Sequence, residues 1–241
     1  MLHGIAQRTR ALGAWMHKKD RDILVSTLKM AAALLVLVVG IALLPGDLPY
    51  ETVREFGPVE TISVGLYFLF ILFIVYFNAT GILRTSFAPG VFILLLALRE
   101  MDFHARFTTM GMFKIKFYLS PEVPVEQKII VVLFDIAVIS YAIVYLRKVT
   151  PGFLRALSAR KAYAFSIIFG LACMVASKLI DGNSEVFEFL FGMEEGDLGI
   201  YSSIMEECLE LFIPVFFIMA LIQYGVDYQA RLAQNISGRT E

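Results

Sequence analysis

Three glutamates near the end of the chain, Glu206, Glu207 and Glu210, stand inside an otherwise apolar run, Ile200–Tyr224. On a helix Glu206 and Glu210 are i,i+4 neighbours sharing one face, with Glu207 adjacent. Pro214 has no N–H, so the carbonyl of Glu210 loses its helical partner. Carboxylates beside a freed carbonyl form an oxygen-rich group suited to a hard cation or a proton. The plain alternative is a proline kink with no ligand. Asp135 stands in a second apolar run, about 10 Å along its helix from Lys128. Glu60 opens a third run, Arg99, Glu100 and Asp102 close a fourth, and Lys178 and Asp181 close a fifth. The pairs Arg99–Asp102 and Lys178–Asp181 have i,i+3 spacing and also read as ion pairs that only support their helices.

A charged side chain near the centre of a bilayer costs ~2.5–3.5 kcal/mol on insertion scales, less near the interface. Acids at similar depth in five apolar segments therefore predict a single polar cavity. Its proton- or ion-binding groups would be Glu206, Glu207, Glu210, Asp135 and Glu100. His104 follows Glu100 at i+4 and is the only histidine near the group, because His3 and His17 lie in the N-terminal segment. With Glu206 and Glu210 it would complete a divalent-metal site, for which Glu207 or Asp135 would be the catalytic base. Alone, it reads as a solvated interfacial residue.

The elements that must position these groups follow from composition. Of the 241 residues 58% are hydrophobic and 18% charged, against roughly 45–50% and about 25% in soluble domains. The mean hydropathy is +0.72. A membrane helix needs about 20 mainly apolar residues, and six segments approach that: Ile23–Leu44, Thr61–Leu83, Phe87–Phe103, Lys128–Leu146, Tyr163–Ile180 and Ile200–Tyr224. The expected fold is an all-α, integral-membrane six-helix bundle spanning 23–224, between a tail of 1–22 and a tail of 225–241. The third span is the short one: its uncharged stretch, Phe87–Leu98, reaches only about 18 Å at ~1.5 Å per residue. The fifth carries a stripe of small residues, Ser166, Gly170, Cys173 and Ser177, that would let helices approach closely or serve self-association.

Positive charge sets the orientation. An even number of spans places both termini on one side. That side collects most of the 21 basic residues, in three groups: Arg8 to Arg21, Arg147 to Lys161, and Arg231 with Arg239. By the positive-inside rule both ends are expected to be cytoplasmic, which leaves the acids of the spans facing outward. Outside the spans, Phe113–Phe117 alternates apolar and basic residues and reads as a short extended or interfacial piece. Val186–Phe191 reads as an interfacial turn, and Gly4–Lys19 as a helix lying on the inner surface.

Several classes are excluded. A net charge of −1 rules out a globally basic nucleic-acid binder. No GxxxxGK[ST] or GxGxxG motif indicates a nucleotide, and there is no HExxH. Cys173 and Cys208 have no metal-site or disulfide-framework spacing. Glu206-Glu207 matches the opening of the EExxxR motif of prenyl-protease-like membrane enzymes. However, Leu211 stands where the arginine belongs, and the companion histidines are missing.

Three short motifs, Glu55-x-Gly57-Pro58-x-Glu60, Arg99-Glu100-x-Asp102 and Glu206-Glu207-x-x-Glu210, together resemble a group of small polytopic bacterial inner-membrane proteins with acid-rich, outward-facing span ends. The resemblance implies a bacterial inner membrane and a periplasmic site, and it carries no activity with it.

Three readings follow. The first is a transport-type protein binding a proton or cation in an outward-facing carboxylate cavity; crowded, buried carboxylates suit proton carriage. Against it, the inner halves of the spans offer few polar groups, chiefly Lys29, Asn78 and Thr80. The second is a metal-dependent enzyme acting on a lipid headgroup or a periplasmic glycan. The third is a non-catalytic subunit of a homo-oligomer or larger membrane complex.

Overall fold

Proline, glycine and serine punctuate a chain whose regular structure is helical throughout. The computed structural model describes residues 23, 25–36, 39–40, 57–83, 86–101, 103, 107–112, 115–180 and 195–237, with side chains from 202 onward in the last stretch. Among them lie seven helices and no strand: α1 (Val25–Val36), α2 (Pro58–Ala79), α3 (Ala88–Glu100), α4 (Ile115–Leu119), α5 (Val125–Ser158), α6 (Ala162–Ile180) and α7 (Glu195–Ser237). Four of them, α2, α5, α6 and α7, are long and apolar enough to cross a membrane.

Local chemistry explains the ends. Pro58 starts α2, where a missing N–H costs nothing, and Glu60 in the first turn complements the helix dipole. Gly81, at φ 70°, stops it: its N–H donates to the Asn78 carbonyl at 3.2 Å, and the Leu83 N–H to that of Phe77 at 3.0 Å. Ser86 then caps α3 by accepting the Ala88 N–H at 3.1 Å. With 13 residues, α3 reaches only about 20 Å at ~1.5 Å per residue, short of the ~30 Å hydrocarbon core.

Between α5 and α6 the Lys161 N–H donates to the Ala156 carbonyl and the Arg160 N–H to that of Leu157, both at 2.9 Å. This Schellman pattern places Arg160 at φ 53°, where glycine is the usual occupant. Left-handed backbone costs a side-chain-bearing residue roughly 1–2 kcal/mol. Arg160→Gly is therefore expected to raise stability by about 1 kcal/mol, and the β-branched Arg160→Val to lower it, read by thermal unfolding in detergent.

The packing is uneven. Helices α6 and α7 lie against each other along their length, α7 also packs on α2, and α3 folds back on α2. The core is built from these helices and α1: Leu34, Tyr67, Phe70, Ile74, Ile93, Cys173, Ile213 and Phe216 are all buried in one cluster. The small-residue stripe of α6 is consumed here. Ser166, Gly170, Cys173 and Ser177 are buried, with Gly170 meeting Phe216 and Phe217 of α7. The stripe therefore packs within the chain, and self-association through it is excluded because another copy could not reach it.

Helix α5 stands apart. It makes a small contact with α6 and sets Tyr141 and Tyr145 beside Phe92 of α3, each with ring centres 5.3 Å apart. Its apolar face is otherwise open, as suits a helix in lipid.

Three expectations need correction. The apolar runs mark less than the helices: α5 continues past Leu146 to Ser158, and α7 continues past Tyr224 to Ser237, so the first part of the expected C-terminal tail is helical. The described part of the alternating stretch is not extended. Residues 115–119 form a short helix with Phe117 fully buried against Val123 and Val131, which leaves the interfacial alternative. The segments Gly4–Lys19 and Val186–Phe191 lie outside the described residues.

Candidate functional site

Ion pairs define two charged levels in the bundle. At the Pro58 end of α2, Glu210 of α7 accepts from Arg99 of α3 at 3.2 Å and lies 3.5 Å from Lys178 of α6. Lys178 is also 3.2 Å from Glu206. The Ser63 hydroxyl of α2 donates to Oε1 of Glu100 at 2.9 Å. At the other level Asp227 pairs with Lys161 at 2.9 Å and with Arg231, beside the stacked edge of Tyr163 on Tyr224. Glu210 and Asp227 lie about 25 Å apart along α7 at ~1.5 Å per residue. That separation is close to the thickness of a bilayer's hydrocarbon core.

The first level is the candidate site. Antiparallel packing of α3 on α2 carries Glu100 to Ser63, and Gly90 near the start of α3 lies over Ile74. Glu210 is the most enclosed acid, with 9% of its side chain accessible, against 32% for Arg99 and 41% for Lys178. Glu206 and Glu207 are half-buried beside it. Glu207 makes no hydrogen bond or ion pair with a described residue, and Glu60 and Glu100 lie within its electrostatic reach. Among the described residues, five carboxylates (Glu60, Glu100, Glu206, Glu207 and Glu210) thus share the level with Arg99 and Lys178.

The structure therefore brings together seven of the residues singled out in the sequence, and it assigns two of them new partners. Arg99 and Lys178 reach across to α7. Asp102 and Asp181, their expected i,i+3 partners, lie outside the described residues, as does His104.

Asp135 does not join the cluster. It accepts a hydrogen bond from the Tyr118 hydroxyl at 2.7 Å, a bond that raises the Tyr118 phenol above its ordinary value. Its helix, α5, docks at the margin of the bundle, so similar depth did not mean a shared face. Asp135→Asn is expected to leave ion or proton binding at the cluster unchanged, measured beside the wild type by proton uptake in detergent.

The metal reading calls on Glu206, Glu210 and His104, and His104 lies outside the described residues. The ammonium of Lys178 lies 3.2 Å from Glu206 and 3.5 Å from Glu210. Among the described residues no group of three or more His, Cys, Asp or Glu could hold a metal ion.

Polar groups that the sequence left unremarked appear in the other half of the bundle. Ser166 donates to Gln223, and the Gln223 amide donates to Thr27, each at 2.8 Å, linking α6, α7 and α1. Thr27 and Ser166 are fully buried. The groups expected there, Asn78 and Thr80, instead donate to carbonyls of their own helix, those of Ile74 and Tyr76, at 2.8 and 2.7 Å. Gln223 alone in an apolar run, opposite a small-residue stripe, was the available signal.

In class, the chain is an all-helical protein with four helices long and apolar enough to cross a membrane. Comparison with family models, curated proteins and solved structures finds no match.

Proposed function

We propose that the chain is a transport-type membrane protein that binds a proton or small cation at the carboxylate level. The proposal places six spans in a bacterial inner membrane, with both termini cytoplasmic and the carboxylates facing outward. One observation carries it: Glu207 is half-buried among the other acids of the level, without an ion pair to a described residue. A set built only for support would balance its charges, because excess buried charge is costly. The excess is what a proton or monovalent cation would neutralise. The chain Thr27–Gln223–Ser166 supplies polar groups in the half of the bundle where the sequence offered few.

The experiment is proton flux into vesicles containing the reconstituted protein, driven by a potassium diffusion potential. The double variant Glu100→Gln/Glu207→Gln is expected to abolish the flux while leaving the protein folded. Equal flux in that double variant and wild type would overturn the reading. A second reading, a non-catalytic complex subunit, is favoured by the open apolar face of α5. It would gain from a stable larger assembly recovered on mild solubilisation of a protein that shows no flux.

A further inference from the structure

Two polar side chains beneath Glu100 have hydrogen-bonding arrangements that a fixed, ionised carboxylate does not explain. The first is Ser63. Its hydroxyl oxygen lies 2.9 Å from Glu100 Oε1 and 3.0 Å from the Glu60 carbonyl oxygen. A hydroxyl has one hydrogen, so the two acceptors compete for it and only one can take a full bond at a time. The second is Tyr67, only 1% exposed. It donates no hydrogen bond to a described residue, although Glu100, Glu210 and Arg99 lie within electrostatic reach of its hydroxyl. A buried phenol without a partner is costly and calls for a group that visits it.

We propose that Glu100 is the proton-carrying carboxylate of the cluster and that Ser63 is its positioning residue, reversing its hydrogen bond as the proton arrives and leaves. With Glu100 ionised, Ser63 donates to Oε1, and the Glu60 carbonyl keeps only its helical donor. When hydronium from the water at that end gives Oε1 a proton and departs as water, the new O–H donates to Ser63 Oγ. Ser63 then turns its own hydrogen to the Glu60 carbonyl. In both states the hydrogens of Ser63 and Glu100 have an acceptor, with no heavy-atom movement. Tyr67 faces the same carboxylate from one turn further along α2, and it supplies a donor for the water through which the proton enters.

Among the described residues, the groups facing Glu100 are Glu60, Ser63 and Tyr67 of α2, Arg99 on its own helix, and Glu207 and Glu210 of α7. Lys178 of α6 is taken up by Glu206 and Glu210. The inference rests on the proton-binding reading and names the carboxylate that carries it.

Infrared difference spectra of the full-length protein in lipid, recorded between acid and alkaline pH, test it. A carboxylic-acid carbonyl band that disappears in Glu100→Gln identifies the proton on Glu100. In Ser63→Ala the band should persist and move to higher frequency, because its O–H has lost its acceptor. Ser63→Thr, which restores a hydroxyl, should return the band to the wild-type position. A band that is lost in Glu100→Gln yet unmoved in Ser63→Ala would overturn the role of Ser63 and leave the proton reading standing. A band insensitive to Glu100→Gln but lost in Glu207→Gln would move the proton to the neighbouring acid and overturn this assignment alone. No titrating carboxyl band in the wild type would sink both readings together. Far-ultraviolet circular dichroism of each variant confirms that the bundle is intact.

Discussion

Gly170→Leu is expected to destabilise the bundle by about 2–3 kcal/mol, the upper part of the range for overpacking a well-filled core. Gly170 marks the closest approach of α6 to α7. A Cβ placed there would meet Phe217 Cε1 at 3.0 Å, Phe217 Cδ1 at 3.3 Å and Phe216 Cβ at 3.4 Å. The Phe217 ring is only partly buried and can swing aside. The Phe216 Cβ is fixed by its backbone, and its side chain is 1% exposed. An alanine therefore asks for a small ring movement, and its higher helix propensity, worth about 1 kcal/mol over glycine, offsets much of that. A leucine must place three further carbons between Phe216 and Phe217, and it drives the helices apart. Thermal unfolding in detergent should put Gly170→Ala near wild type and Gly170→Leu far below it. Equal stability in the two variants would show that α6 and α7 are not packed as described.

The same interface shows what the sequence made legible. Helices α2, α3 and α6 were readable within a few residues, because each begins or ends where hydropathy changes abruptly: at Pro58, at Ser86, at Lys178. Helices α5 and α7 were read too short, since hydropathy reports only the stretch that tolerates oil. Their backbone ladders continue through Arg155 and Arg231, residues with good helix propensity. The shared level of Glu60, Glu100 and the α7 glutamates was legible for a similar reason: a carboxylate in an apolar run is expensive wherever it points. Rotation about the helix axis was not legible. Asp135 and Glu207 look alike in sequence, yet one turns to Tyr118 and the other to the cluster. Partner choice was equally hidden, because spacing rules see only neighbours on one helix, whereas Arg99 finds Glu210 across the bundle. Ser63 and Tyr67 gave no signal at all, being ordinary residues of an apolar helix until the fold of α3 sets Glu100 over Ser63.

Glu210→Ala is expected to cost about 2 kcal/mol, while its near neighbour Glu207→Gln costs nothing or stabilises slightly. Both changes remove one negative charge from the same level, so simple relief of repulsion would predict the same sign for both. What differs is the company each carboxylate keeps. Glu210 serves two cations, Arg99 at 3.2 Å and Lys178 at 3.5 Å, and its loss leaves Arg99 in a partly enclosed place without that partner. Breaking a fully buried pair costs about 3–5 kcal/mol. Arg99 and Lys178 retain 32% and 41% accessibility, and Lys178 keeps Glu206, so the lower figure follows. Glu207 holds no described cation, and removing its charge only lessens repulsion from Glu210, Glu100, Glu60 and Glu206. The double variant Arg99→Ala/Glu210→Ala should recover about 1 kcal/mol relative to the sum of its parts, as directly contacting residues do. Thermal unfolding of wild type, Glu207→Gln, Glu210→Ala, Arg99→Ala and the double variant in one detergent decides the matter. If Glu207→Gln lost as much stability as Glu210→Ala, Glu207 would be a structural partner and its excess charge could not serve binding. The opposite order would mean that the cluster holds the helices together with Glu210 and keeps Glu207 at a cost to stability, as a residue retained for function does.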